Sequence, residues 1–343
     1  MRFPRATRLP LYRQSEILAR QGVEIPRSTL IDWCGQAVAV LRPLVALIRH
    51  EVTGSDHLHA DDTPIQVLDP RLRQIGKPRG VKEGRIWTYL RDPRPWGGSD
   101  PPAVAYWFSP DRKGINPQTH LANFSGILQA DAYAGFKELY RPDATGAVRV
   151  HEAACWAHLR RDFHDVWKGS GSALAKEALD QIGALYDIER RITGRPAEQR
   201  LAIRAAESRP RVEAFHAWCG GQLARIPGKG ELAKAIRYAL NRWPAFTLFL
   251  EDGRVAIDNN AAERAVRPVC IGRKNYLFAG SDAGGENIAD AMTIVESAKL
   301  SGLNPHDYLA NVLARINDHK VNRLHELLPW NWRPIAPPHK QAA

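Results

Sequence analysis

The sequence predicts an α/β fold: a mixed sheet core interrupted by a helical insertion and preceded by a helix-turn-helix-like segment. Three observations carry that prediction. Short β-branched and apolar runs recur at 57–68, 85–91, 103–108, 126–132 and 148–155, with turn-forming or polar stretches between them. From Lys168 to Leu250 the pattern changes: Leu174, Ala178, Ile182, Leu185, Ile188 and Ile192 keep the three- and four-residue spacing of a packed helix face. Ahead of both, Met1 to His50 holds eight Arg against three acids, with a Gly turn between two helical stretches.

At 343 residues the chain can bury one large core or two modest ones. Its net charge of +11 points to a polyanionic partner, and 36 of its 48 basic residues are Arg, whose planar fork matches phosphate. Cys34, Cys155, Cys219 and Cys270 lie far apart with no CxxC pair, so neither a zinc ribbon nor a disulfide framework is indicated. The longest apolar run, Ala37 to Ile48, is broken by Arg42 and Pro43, and no apolar segment follows the first Met. The expectation is a soluble intracellular protein that makes no membrane contact.

In chain order, Tyr12 to Gln21 reads as a short helix, Gly22 to Ile25 as a turn, and Ser28 as the cap of a second helix. That helix continues over Ala37 to Arg49 with a kink at Pro43. The spacing is that of a helix-turn-helix, although any helical hairpin with a Gly turn shares it. His57 to Leu68 is a strand carrying Asp61 and Asp62, with Pro64 expected to stop regular pairing soon after them. His57 and His59 alternate as on a solvent-facing edge and are not read as metal ligands. Arg85 to Arg91 and Ala103 to Phe108 are strands around a Pro/Gly-rich loop, and Asn116 to Phe124 is a short helix. Gly126 to Ala132 is a strand that ends in Asp131, at the carboxyl end where ligands gather in α/β sheets, although the same Asp could simply cap the helix through Phe136 and Leu139. The last strand, Val148 to Cys155, runs into the basic start of a helix, where His158 beside Arg160 and Arg161 reads as a phosphate or structural contact. After the insertion, Asn259 or Asn260 caps a helix that Pro268 breaks or kinks. Gly280 to Gly285 reads as a loop, two further helices follow, and the Pro-rich tail beyond Trp332 is expected to be disordered.

Glu263 falls in the first turn of the helix capped at Asn259 or Asn260. A capping box with Asn260 would explain it, but Arg264, Arg267, Arg273 and Lys274 crowd the same stretch. A cap needs no such basic collar, whereas a site that handles phosphates does. Asp61, Asp131 and Glu263 thus stand at two strand ends and a helix start. Carboxylates on such a frame can hold two hard divalent cations that clamp the attacking and leaving oxygens of a phosphodiester. Three strands, a helix, a strand, a helix, a strand and then helices is the order of a ribonuclease-H-like core. The corresponding division is a basic segment at 1–50, the first part of the core at 51–167, the insertion at 168–250, the completion of the core at 251–300 and a helical segment and tail at 301–343.

The strings ADDTPIQVL, ILQADAYAGF, ACWAHLRRDF, AIDNNAAERAVRP, IGRKNYLFAGSDAGGE and LLPWNW closely resemble the DDE transposases of insertion-sequence family sixty-six. The resemblance runs from about Leu9 to Trp332. It implies that Asp61, Asp131 and Glu263 are the catalytic, metal-binding triad, with Mg²⁺ as cofactor and Mn²⁺ as its substitute. It implies a homo-oligomer of the bacterial cytoplasm, associated with the nucleoid and acting on element ends and target DNA, with accessory proteins of the same element as further partners. The implied reaction is metal-dependent strand cleavage followed by attack of the freed 3′-OH on target DNA. Arg160, Arg161, Arg264, Arg267, Arg273 and Lys274 would hold backbone phosphates. Two departures stand out. Asp62 occupies the position where members usually carry Glu, so the choice between Asp61 and Asp62 as ligand stays open, with Asp61 preferred. Larger members also carry an N-terminal extension with a cysteine-rich zinc-binding segment, and this chain begins just before the helix-turn-helix-like part, so part of the end-recognition apparatus is expected to be missing. A catalytically silent DNA-binding relic and a nuclease on the same scaffold are the competing readings.

Overall fold

The structure, a computed structural model, describes residues 10–75 and 79–334; the Pro-rich end of the tail lies outside them. Two helices lead in, α1 (Leu11–Arg20) and α2 (Arg27–Thr53). Gly22 between them takes φ +83, the left-handed conformation that closes a helix without a Cβ clash. Ser28 is not the cap: α2 starts one residue earlier, after Pro26, with no side-chain cap bond. The helix is 27 residues long and continues past Pro43. Leu41, Leu44, Val45, Ile48 and Val52 are buried, so packing sustains the helix past the missing N–H.

The sheet follows as β1 (His57–Leu68), a short α3 (Pro70–Gln74), β2 (Val81–Arg91), β3 (Ala103–Ser109), α4 (Ile115–His120), β4 (Gly126–Gln129) and β5 (Val150–Ala153). The strand order is β3-β2-β1-β4-β5. The first three strands form an antiparallel meander, and β4 and β5 join the other side of β1 in parallel. Pairing of β1 with β2 does not stop after Pro64 but continues to Leu68 opposite Val81. In an antiparallel strand the N–H and C=O of one residue point to the same edge. The Pro64 carbonyl accepts from Arg273, and the Gln66 carbonyl, two residues on, from the Ala279 N–H. The ring nitrogen of Pro64 therefore faces that outer edge, and no ladder bond to β2 is lost.

Alternation along the strands divides the core. Leu58 and Ala60 of β1, Trp87 and Tyr89 of β2 and Ala105 of β3 pack with the buried half of α2 on one face. Ile65, Val67, Ile86, Leu90, Val104 and Tyr106 pack on the other, beneath α11 (Asn260–Tyr276) and α12 (Asp282–Leu300). The open edge of β3 is covered by α12: Thr293 and Ser297 hydroxyls bond the backbone of Tyr106 and Val104 at 2.9–3.2 Å. A paired edge cannot recruit another chain. Residues 282–285, expected as loop, are the first turn of α12, because Ser281 caps it by accepting from the Gly284 N–H at 3.1 Å. Pro268 does not end α11, which continues to Tyr276; Tyr106 Oη donates to the Ala265 carbonyl at 2.6 Å one turn before the Pro.

Between β5 and α11 the chain builds a helical unit: α5 (Trp156–Ser170), α6 (Ala173–Ile192), α7 (Ala197–Ile203), a π-helical turn, α8 (Arg209–Leu223), α9 (Glu231–Asn241) and α10 (Trp243–Thr247). Its core of Trp156, Phe163, Ile182, Phe215, Ile236 and Phe246 is continuous with Ile127 and Ala153 of β4 and β5. Helix α13 (Pro305–Arg315) closes the fold, with Tyr308 bonded to the Leu327 carbonyl at 2.6 Å.

Candidate active site

Asp61 and Asp62 are adjacent on β1, so strand geometry sends them to opposite faces. Asp62 turns to the α2 face, where its side chain is 2% exposed and accepts from Arg85 Nη1 at 3.0 Å and Arg112 Nη2 at 2.7 Å. Asp61 turns to the α11 face and has no basic partner among the described residues; its Oδ1 accepts only the Asp62 N–H, at 2.8 Å. Burial pushes the Asp61 carboxyl up to about 7, against that hydrogen bond, and the charges of Asp131, Asp62 and Glu263 add to the rise.

Asp131 lies two residues beyond β4, past a strand whose start only Gly can occupy. Gly126 takes φ +136, and a Cβ there would run into the Asp56 backbone. Asp131 Oδ1 accepts the Tyr133 N–H at 3.1 Å in a local Asx-type turn; it is not the helix cap weighed from the sequence, since the 3-10 helix Ala134–Tyr140 that follows has Tyr133 at its N-cap position and no side-chain cap bond, and the carboxylate also acts on Asp61.

Glu263 sits in the first turn of α11 and makes no capping box. Its Oε1 instead lies 3.7 Å from both His158 Nε2 and Arg161 Nη2 of α5. The residue at the N-cap position, Asn259, is buried, and its side chain turns inward to bond the Ala60 carbonyl (2.8 Å) and His59 Nδ1 (3.1 Å). Its own N–H donates to Cys155 Sγ at 3.2 Å. One amide thus ties the helix of Glu263 to the strand residue next to Asp61. His57 and His59 are not solvent-facing: both are buried, because β1 is central and covered on both faces. Burial drives the His57 imidazole down to about 3, with the His59 ring acting in the same direction.

The six basic residues do not form one collar. Arg161 faces Glu263, and Arg160 borders a cleft between α5 and α6. Arg264 points to the opposite side of α11, among Asp92, Arg94 and Glu296. Arg273 bonds Thr63 Oγ1 (2.8 Å) and the Pro64 carbonyl (2.6 Å), while Arg267 and Lys274 are exposed. Sequence reasoning missed Arg112. It stacks over Tyr133 at 4.1 Å and borders a cleft of about 420 Å³ with Asp131, His158, Asp162 and Tyr238. Its loop position carried no periodic signal.

Hard oxygen donors with uncompensated charge suit Mg²⁺ or Mn²⁺. Asp61 meets that description, since its carboxylate is half-buried, acted on by three other acids and without a basic partner among the described residues. Among the described residues no three His, Cys, Asp or Glu side chains are drawn tightly enough to enclose one ion as they stand. The three acids share a field rather than a closed ligand cage.

The sequence profile described as Transposase IS66 family matches residues 5–287, and that described as IS66 C-terminal element matches residues 293–330. Three uncharacterized proteins of Sinorhizobium fredii (strain NBRC 101917 / NGR234) are similar over most of the chain. The protein y4hP is 43% identical over 338 residues, covering 94% of this chain and 59% of its own length. For y4qI the identity is 39% over 331 residues, covering 96% and 60%, and for y4jD it is 38% over 331 residues, covering 96% and 64%. The chain spans about three-fifths of the length of these relatives. No solved structure matches it. The chain belongs to the IS66 family of transposases.

Proposed function

We propose that this protein is a DNA transposase that cleaves and joins strands with metal ions held by Asp61, Asp131 and Glu263. The observation that carries the reading is the unpaired Asp61 carboxyl, pushed up by burial and by the charges of Asp131 and Glu263, beside an Asp62 fully occupied by two Arg. The contrast favours Asp61 over Asp62 as the ligand. The order β3-β2-β1-β4-β5, with β1 antiparallel to β2 and parallel to β4, supports a ribonuclease-H-like core.

Mg²⁺, or Mn²⁺ in its place, would supply an activated water and offset the charge that develops on the scissile phosphate. Asp61 and Asp131 would hold it from the β1 and β4 side and Glu263 from α11. Asn259 keeps α11 in register with β1, so the carboxylates approach from fixed directions. Arg112 and Arg161, exposed at the rim, would take backbone phosphates and orient the strand for in-line attack. The pair α1 and α2, joined at Gly22, would serve as the helix-turn-helix-like DNA contact, and a second copy would act on the other element end.

The test is joining. A labelled duplex with free 3′-OH ends is incubated with supercoiled target DNA and Mn²⁺, and covalent transfer of the label is expected. Nicking without transfer would favour a plain nuclease, and binding without either would favour a silent DNA-binding protein.

A further inference from the structure

We propose that His158, with Arg161 beside it, is a positioning residue for Glu263: the pair engages one carboxylate oxygen and leaves the other for a divalent cation. This rests on the carboxylate site proposed above. His158 and Arg161 stand three residues apart on α5 and so project from one face of that helix. The nearest approach of both is to the same atom, Glu263 Oε1, at 3.7 Å, and Oε2 makes no hydrogen bond among the described residues. Both side chains thus come closest on the Oε1 side, which leaves Oε2 the more open oxygen for a ligand.

Three further features support the assignment. Nε2 of the His158 ring carries the contact to Glu263, while Nδ1 is buried with no hydrogen-bond partner among the described residues. The ring borders the cleft that also holds Asp131, so it meets the site from the helical unit while Asp61 meets it from the sheet. The starts of α5 and α11 are also locked together, since the Trp156 N–H donates to the Ile257 carbonyl at 3.1 Å and the Asn259 N–H to Cys155 Sγ at 3.2 Å. A shift of α5 therefore carries over to Glu263. Partners behind a ligating carboxylate set its orientation and basicity, and their removal typically weakens metal binding about 10–100-fold.

The experiment is Mn²⁺ binding to the purified full chain by isothermal titration calorimetry, with thermal melting of each variant alongside. His158→Ala should bind Mn²⁺ at least about 10-fold more weakly, at the low end of that range, with its melting temperature close to that of the unmodified chain. His158→Gln, whose amide can still donate to Oε1, should recover most of the affinity. Arg161→Gln, on the more exposed of the two side chains, should weaken binding in the same direction but less, and it carries the test should His158→Ala melt early. Unchanged Mn²⁺ affinity in His158→Ala and Arg161→Gln, with affinity lost in Asp61→Asn, would overturn the positioning role alone. Unchanged affinity in Asp61→Asn as well, or no Mn²⁺ binding by the unmodified chain, would overturn the carboxylate site and this inference with it.

Discussion

Replacing Asp61 by Asn removes a carboxyl that burial already drives toward its neutral form. The variant should therefore melt higher, by on the order of 1–3 kcal/mol of added stability at neutral pH, while losing strand cleavage. Asp62→Asn should do the reverse and cost about 2–4 kcal/mol, because Arg85 and Arg112 lose a carboxylate that is only 2% exposed. Thermal melting of the two variants side by side reads both signs. The doublet itself was plain in the sequence, and strand alternation required that its members part. Which of them faced the site was not legible, because both faces of β1 are covered and hydrophobic pattern marks neither as outside. Arg112 and the contact of His158 with Glu263 were illegible for another reason: each joins segments about fifty or a hundred residues apart, and spacing along the chain says nothing of such pairs.

At the scale of elements, β1 appeared in the sequence with the same limits as in the structure, His57 to Leu68, because a β-branched run between turns has few alternatives. Two prolines misled. Pro64 was expected to stop the pairing of β1, but its nitrogen faces away from β2 and pairing continues to Leu68, and Pro268 does not end α11, which continues to Tyr276. The start of β4 is more demanding. Gly126→Ala should cost on the order of 3 kcal/mol, since the added methyl meets the Asp56 backbone at a φ that other residues rarely adopt. Chemical denaturation checks the value, and a neutral result would remove the argument that Gly126 sets the position of Asp131. Buried histidines predict acid sensitivity. His57 and His120 are both lowered from 6.5 to about 3, chiefly by burial, with His59 acting further on the first and Arg49 on the second. Between those values the unfolded chain binds the extra protons, so their contribution is complete above about pH 6.5 and is lost as pH falls toward 3. Melting temperature should decline over that window, and His120→Gln, which can still bond Tyr89 but takes up no proton, should flatten the decline.

For the whole molecule, composition raises the expectation of a polyanionic partner without marking the surface that would meet it. The +11 charge and the Arg excess favour a polyanion, yet Arg264 and Arg273 point away from Glu263 and only part of the basic set borders the carboxylates. If exposed Arg and Lys hold phosphates, DNA affinity should fall steeply and log-linearly as salt rises from 50 to about 200 mM, and a flat response would exclude them. The helical unit was legible as helices from its periodicity, but its position, with α5 placing His158 and Arg161 against α11, emerges only when sheet and helices share one core. The central claim is that Asp61, Asp131 and Glu263 act together on a phosphodiester. The most direct measurement is Mn²⁺-dependent nicking of supercoiled DNA by the unmodified chain beside Asp61→Asn, Asp131→Asn and Glu263→Gln, each shown to be folded. The account predicts nicking by the unmodified chain and a loss of at least about 100-fold in all three variants; nicking that survives in any one of them, or its absence from the unmodified chain while DNA binding persists, would contradict it.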